Sequence, residues 1–207
     1  MKKPIKLLLA AAVVSGFAFV SKMSHEDPKK INIVIDAGHG GNDFGASFEN
    51  FTEKEIVSQI TARIKSLNKN KDIEIVLTRA SDIPVSLQER TQVINSIKPD
   101  LVLSLHVNAS KDVEKSGVGL YIAKENASKE RALELAQKLS ARIRKNHHFA
   151  VSDINEAPLY VLRNSEAPAI ILELGYITNE GDRQYLTDGK QQNRIARTIL
   201  ECVNDIR

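Results

Sequence analysis

The chain has 207 residues, 42% hydrophobic and 27% charged, enough for one domain with a full core, which excludes wholesale disorder and fibrous structure. A single cysteine, Cys202, excludes an intrachain disulfide framework and a thiolate-rich zinc site, so any metal falls to carboxylates and the five histidines. The net charge of +3 resides in residues 1–30, with six Lys against two acids; residues 31–207 carry 23 basic and 24 acidic side chains, which gives no case for a nucleic-acid partner.

Met1–Lys6 is basic, and Leu7–Val14 is an unbroken apolar run that Phe17–Val20 extends. A membrane span needs ~20 residues, whereas a signal-peptide core needs roughly 7–15. Residues 1–20 therefore read as an export signal, either removed after Gly16-Phe17-Ala18 or kept as an N-terminal anchor. Residues 21–30 read as a polar linker. Both outcomes place residues 31–207 across the membrane, in the periplasm or at the cell wall. Membrane contact is expected only through an uncleaved N-terminal segment, and the folded part is expected to be a monomer.

Beyond residue 30, strand and helix patterns alternate. Ile31–Asp36 is a buried-strand run. Residues 37–52 carry no regular pattern, and a loop this long in a compact domain is more often functional than idle. Glu53–Asn68 places Ile56, Val57, Ile60, Ile64 and Leu67 on one helical face. Ile73–Thr78 predicts a strand, Ser86–Ile97 a helix, and Leu101–Val107 and Gly117–Ala123 two more strands. Ala127–Asn146 predicts a long amphipathic helix. Pro158–Leu162 and Ala169–Leu174 predict strands, and Gln191–Ile206 a closing helix. This order predicts one α/β domain with a mixed, mostly parallel sheet and helices on both faces. The fourth and fifth strands are where parallel order is expected to break.

Ligands in such sheets bind beyond the carboxyl ends of strands. The first strand ends in Asp36-Ala-Gly-His39-Gly-Gly, the third in Ser104-Leu-His106-Val-Asn108, and the last in Leu172-Glu173-Leu-Gly175. Each histidine alone has an ordinary explanation, a solvated turn for His39 and a hydrogen-bonded core residue for His106. Together they offer two imidazoles from separate elements, as zinc requires. Thr52-Glu53-Lys54-Glu55 reads as a capping box in which Glu55 has the capping duty. Glu53, at the first helical position, is left to point back toward His39. Glu173 interrupts an apolar run. A carboxylate there is either paired with Arg79 or Arg90 or is a proton-transfer group of raised pKa. Asp36 and Asp43 are equal candidates to orient a ligand histidine, and equally turn residues. Asn108 is a candidate to orient His106 or to touch substrate. Arg79, Asp82 and Arg90 read as braces. His147 and His148 read as solvated helix-end residues, and Cys202 as a packed thiol.

Four ordered segments carry a family resemblance: Ile35-Asp-Ala-Gly-His-Gly-Gly-Asn-Asp43 with Glu53-Lys54; Thr78-Arg79 with Asp82, Leu87 and Arg90; Ser104-Leu-His-Val-Asn-Ala109; and Pro168-Ala-Ile-Ile-Leu-Glu-Leu-Gly-Tyr-Ile-Thr-Asn179. The chain from Ile31 to about Ile206 thereby resembles the zinc-dependent N-acetylmuramoyl-L-alanine amidases of the type-3 family, which cleave peptidoglycan. The resemblance implies one zinc per chain on His39, Glu53 and His106, a catalytic Glu173, and peptidoglycan as the partner. Phe44 stands where the family usually has Pro, and Ser47–Thr52 is slightly short. Between Asn108 and Pro158 the pattern leaves room for one strand and one helix, so the metal site is expected to be uncovered. The competing readings are a zinc peptidase acting on stem peptides and a non-catalytic wall-binding or activator module.

Overall fold

The computed structural model describes residues 30–206; the expected export signal and all but the last residue of the expected linker lie outside the described residues. In chain order the elements are β1 (Ile31–Ala37), β2 (Ser47–Phe48), β3 (Phe51–Thr52), α1 (Glu53–Leu67), β4 (Ile73–Leu77), α2 (Leu87–Ile97) and β5 (Leu101–Asn108). There follow β6 (Val118–Ala123), α3 (Lys129–Asn146), β7 (Val151–Ala157), α4 (Tyr160–Asn164), β8 (Ala169–Tyr176), α5 (Glu180–Thr187) and α6 (Gly189–Asn204). Six strands form one sheet in the order β4-β1-β5-β8-β6-β7. β4, β1, β5 and β8 are parallel, β6 is antiparallel to β8, and β7 is parallel to β6. The sheet is thus mixed and mostly parallel, as the alternation of patterns predicts.

The two faces of the sheet are covered unequally. Ile33, Ile35, Leu103, Leu105, Leu120, Ile122, Ile170 and Leu172 point to one face, where they pack with the apolar stripes of α1, α3 and α6 into the larger core. Val34, Val102, Ala169 and Ile171 point to the other, against Ile94 of α2 and Val161 and Leu162 of α4. Because α2 has 11 residues and α4 only five, the second face is only partly roofed. Strand side chains alternate between faces. Asp36, Ser104, His106, Glu173 and Tyr121 therefore share the thinly roofed side.

Several sequence expectations are corrected. Residues 37–52 are not structureless: Ser47 pairs with Thr52 and Phe48 with Phe51 in a short hairpin, and Gly40 bridges Asp43. Residues 158–162 do not form a strand; Tyr160–Asn164 is a short helix set between Pro158 and Pro168. The break in parallel order belongs to β6 and to the unforeseen β7. The segment from Asn108 to Pro158 thus holds two strands and one helix. α5 was also unforeseen, although Asn179 capping the Asp182 N–H is a helix-start signal. The Thr52–Glu55 capping box does not form. The Glu53 and Lys54 N–H groups donate to the Ala46 and Phe44 carbonyls instead, and the Thr52 hydroxyl donates to the Glu55 carboxylate. The loop before α1 performs the cap's task, which locks that loop to the helix.

Candidate functional site

β1 ends at Ala37, and the chain turns through Gly38–Gly41 with His39 in a left-handed backbone conformation (φ 60°). Such a backbone in a residue other than glycine costs on the order of 1 kcal/mol and marks a conformation held from outside. The holding groups are visible. Arg90 donates to the Ala37 and His39 carbonyls, and Arg79 to those of Ala37 and Gly38. Two glycines make the pocket possible by close approach. A Cβ on Gly38 would stand 2.4 Å from the His106 ring, and one on Gly45 2.4 Å from Glu53 Oε2 and 2.6 Å from the His39 ring.

His39, Glu53 and His106 meet here, each offering a ligand atom within 4.8 Å of the others. Glu53 reaches from the first turn of α1 across the end of the sheet. Its Oε2 accepts from the Ala46 N–H at 2.8 Å and its Oε1 from the Val107 N–H at 3.0 Å, so the backbone fixes the carboxylate. The same oxygens face His39 Nε2 at 3.1 Å and His106 Nδ1 at 2.9 Å. The imidazoles stand edge to face, centroids 5.2 Å apart at 84°. His39 Nδ1 donates to Asp43 Oδ2 at 2.8 Å, which directs Nε2 inward. Of the two aspartates weighed as orienting groups, Asp43 has that geometry. Asp36 is fully buried and bonded to Arg90, Thr78 and Ser104.

The charges are mutually adjusted. The hydrogen bond to Glu53 raises His39 to about 9, against the opposing effect of burial. Burial would raise Glu53, but the His106 and His39 hydrogen bonds outweigh it and hold the acid down at about 2. Glu173 behaves in the opposite way. It lies beside His106 in the β5–β8 register, and burial pushes it up to about 7. Its Oε2 is buried without a hydrogen-bond partner among the described residues. Neither Arg79 nor Arg90 pairs with it; both are spent on the loop carbonyls and Asp36. Arg79 and Arg90 thus brace the loop that carries His39, and Asp82 joins them by pairing with buried Lys54 at 2.7 Å.

Other sequence-based candidates lie elsewhere. Asn108 accepts from the Ala109 N–H and lines an open trough beside Glu173. Cys202 is buried in the main core. His148 is exposed as expected, but His147 is not solvated. It is 6% exposed and hydrogen-bonded to Tyr185 and Thr198, because α5 and α6 pack over the end of α3. Lys115 and Tyr121, also on the trough, belong to no motif in the sequence; the β6–β8 pairing brings Tyr121 beside Glu173, and Lys115, in the loop before β6, lies over the Tyr176 ring.

A mixed α/β sheet that gathers two imidazoles and a carboxylate at its edge, beside a half-buried carboxylate with one buried, unpartnered oxygen, has the make-up of a metal-dependent hydrolase. The profile of the family described as N-acetylmuramoyl-L-alanine amidase matches residues 33–205, and the chain belongs to that family. It is 31% identical over 176 residues to the probable cell wall amidase LytH of Staphylococcus saprophyticus, covering 84% of this chain and 57% of that one. It is 30% identical over 169 residues to the N-acetylmuramoyl-L-alanine amidase LytC of Bacillus subtilis, covering 81% and 34%. Against the crystal structure of N-acetylmuramoyl-L-alanine amidase from Clostridium difficile 630 the TM-score is 0.79 at 31% identity, covering 86% of this chain and 96% of that one. The chain spans less than two thirds of the length of these two relatives, LytH and LytC.

Proposed function

We propose that this chain is a zinc-dependent hydrolase of the amide bond between the lactyl group of N-acetylmuramic acid and L-alanine in peptidoglycan. His39, Glu53 and His106 would hold one zinc ion, with Glu173 as the proton-transfer group. The observation that carries the reading is the pairing of a convergent His–Glu–His donor set with a neighbouring buried carboxylate oxygen that no protein group satisfies. The fit to zinc rests on donor chemistry: two imidazoles and one carboxylate, no thiolate, and a carboxylate already fixed by two backbone N–H groups. When bound, zinc supplies a water that ionises near neutral pH and polarises the scissile carbonyl.

The chain's own residues do the rest. Asp43 holds the His39 ring with Nε2 turned inward. Glu173, with a pKa near the working pH, takes a proton from the attacking water and returns it to the leaving amine. The trough beside Glu173 is open to solvent and receives the peptide side of the bond. Relatives named as cell wall amidases support action at the wall, outside the cytoplasm. Among the described residues no helix is long and apolar enough to cross a membrane.

Mass spectrometry of products from purified sacculi tests the reading. Release of intact stem peptides from the sugar is expected. Shortened peptides with the lactyl bond intact would instead identify a peptidase, and unaltered sacculi a binding module.

A further inference from the structure

The trough beside Glu173 encloses about 360 Å³, within the range of ligand pockets. It crosses the C-terminal end of β8 and the N-terminal ends of β6 and β7. Its floor is closely packed at Gly119, where a Cβ would stand 3.2 Å from the Tyr121 ring and 3.6 Å from Glu173 Cβ. Its lining carries both signs of charge. Glu173 lines it from β8, and Tyr176 stands three residues further along the same strand. Exposed Lys115 holds its Nζ 5.3 Å from the centroid of the Tyr176 ring, a cation–π contact that keeps the ammonium at the trough. Like most lysines among the described residues, Lys115 pairs with no carboxylate; Lys54, Lys129 and Lys138 do. Tyr121 also lines the trough, and its hydroxyl proton is held more firmly than usual by burial and by the nearby Glu173 charge.

We propose that Lys115 is a specificity residue that receives a free carboxylate of the peptide whose amide bond is presented to Glu173. The inference rests on the amide-hydrolase reading above. A ligand with a carboxylate close to the cut bond has one favourable orientation in this trough. Its acid is repelled by Glu173 and attracted by Lys115, so the neutral amide falls at the reacting end. The occupant is thus an acidic peptide, lying along the β8–β6 boundary.

The test uses the full zinc-loaded chain and two substrates, N-acetylmuramoyl-L-alanyl-D-glutamate and its diamide. For the native protein the ratio of kcat/KM for the acidic over the diamide substrate is expected to be about 5–10 at low salt, shrinking as ionic strength rises. In Lys115→Ala the ratio falls to about 1 through KM for the acidic substrate, and Lys115→Arg restores most of it. A ratio retained in Lys115→Ala, or an equal rise in KM for both substrates, overturns the proposal. If the native protein cleaves neither substrate, the hydrolase reading falls instead. Calorimetric binding of L-alanyl-D-glutamate and its diamide to the same three proteins then decides on Lys115. Tighter binding of the acid that is lost in Lys115→Ala supports its role, and equal affinities overturn it.

Discussion

Two clusters of buried charge lie side by side on the thinly roofed face, and they are built on opposite terms. In the first, Asp36 Oδ1 accepts from Arg90 and Thr78, each at 2.6 Å, and Oδ2 accepts from Ser104 at 2.6 Å. Arg90 and Arg79 direct their remaining donors at backbone carbonyls and Ser58. Burial opposes the Asp36 charge, yet Arg90 and the hydroxyls hold its pKa below the ordinary value. In the second, Glu173 is half-buried with its buried Oε2 unanswered, and its pKa moves up. The residue types are alike, but the partners are not. A buried charge with every atom satisfied fixes a loop, whereas one left unsatisfied costs stability and remains open to a ligand.

The strongest way to break that contrast is to remove the Glu173 charge. Glu173→Gln is expected to lower kcat by about 10³, within the range for a lost proton-transfer group, while zinc content measured by atomic absorption stays at one per chain. The same change is expected to raise stability at pH 8. A carboxyl with a folded pKa near 7 and an unfolded value near 4.5 destabilises the fold once pH passes both, and not below 4.5. Denaturant midpoints of chelator-treated protein at pH 8 and pH 4 check the sign. A variant less stable than the native chain at pH 8 would show that Glu173 supports the fold.

The satisfied cluster should respond in stability. Arg90→Met leaves the Asp36 carboxylate buried without its cation and frees the His39 carbonyl, at an expected cost of about 3 kcal/mol in urea unfolding. Adding Asp36→Asn is expected to recover part of that loss, because the uncompensated charge is then gone. Additive losses in the double variant would contradict the charge argument.

The contrast also explains what could be read from the sequence. Strands ending in His39, His106 and Glu173 are legible because β1, β5 and β8 are continuous apolar runs, so a polar residue at their ends stands out. Glu53 is legible because a first-turn acid without a capping duty needs another. The helix α4 was misread because Tyr160-Val-Leu has strand-like composition, and its helical form comes from packing on α2 and β8. β7, Val-Ser-Asp-Ile-Asn-Glu-Ala, has no apolar run and exists as the sheet edge only by pairing with β6. The burial of His147 and the approach of Lys115 to Tyr176 depend on residues far away in the chain, which local patterns do not encode.

A smaller effect is expected at the edge of the metal cluster. The Asp43 side chain is 66% exposed and bonds to the His39 ring and the Gly45 N–H. Asp43→Ala is expected to weaken zinc affinity about 10- to 100-fold by releasing the His39 ring, with little change in unfolding of the zinc-stripped protein. Competition titration with a chromophoric chelator measures it. Unchanged affinity would mean that the Gly38–Gly41 loop alone orients the ring.

The smallest predicted effect comes from His147, whose charged form is opposed chiefly by burial. Its Nδ1 lies 2.7 Å from Tyr185 Oη and its Nε2 2.9 Å from Thr198 Oγ1, amid Val118, Leu172, Leu174 and Ile199. Burial first, then the Arg194 charge, lowers its pKa to about 4 from an ordinary 6.5. Between those values the unfolded chain binds a proton that the folded chain refuses, so stability rises with pH across this window. The contribution is full above pH 6.5 and lost as pH falls toward 4. Since the ring is partly screened by neighbouring polar groups, the loss is expected to be about 1–2 kcal/mol, less than the full shift implies. His147→Gln keeps hydrogen-bonding capacity but cannot titrate. Urea unfolding at pH 7 and pH 4.5 should therefore show a steeper decline in the native chain than in the variant. Equal declines would show that His147 does not carry the acid sensitivity between these pH values; Asp36, whose pKa is lowered, loses its stabilisation only in a more acidic window below its ordinary 3.8.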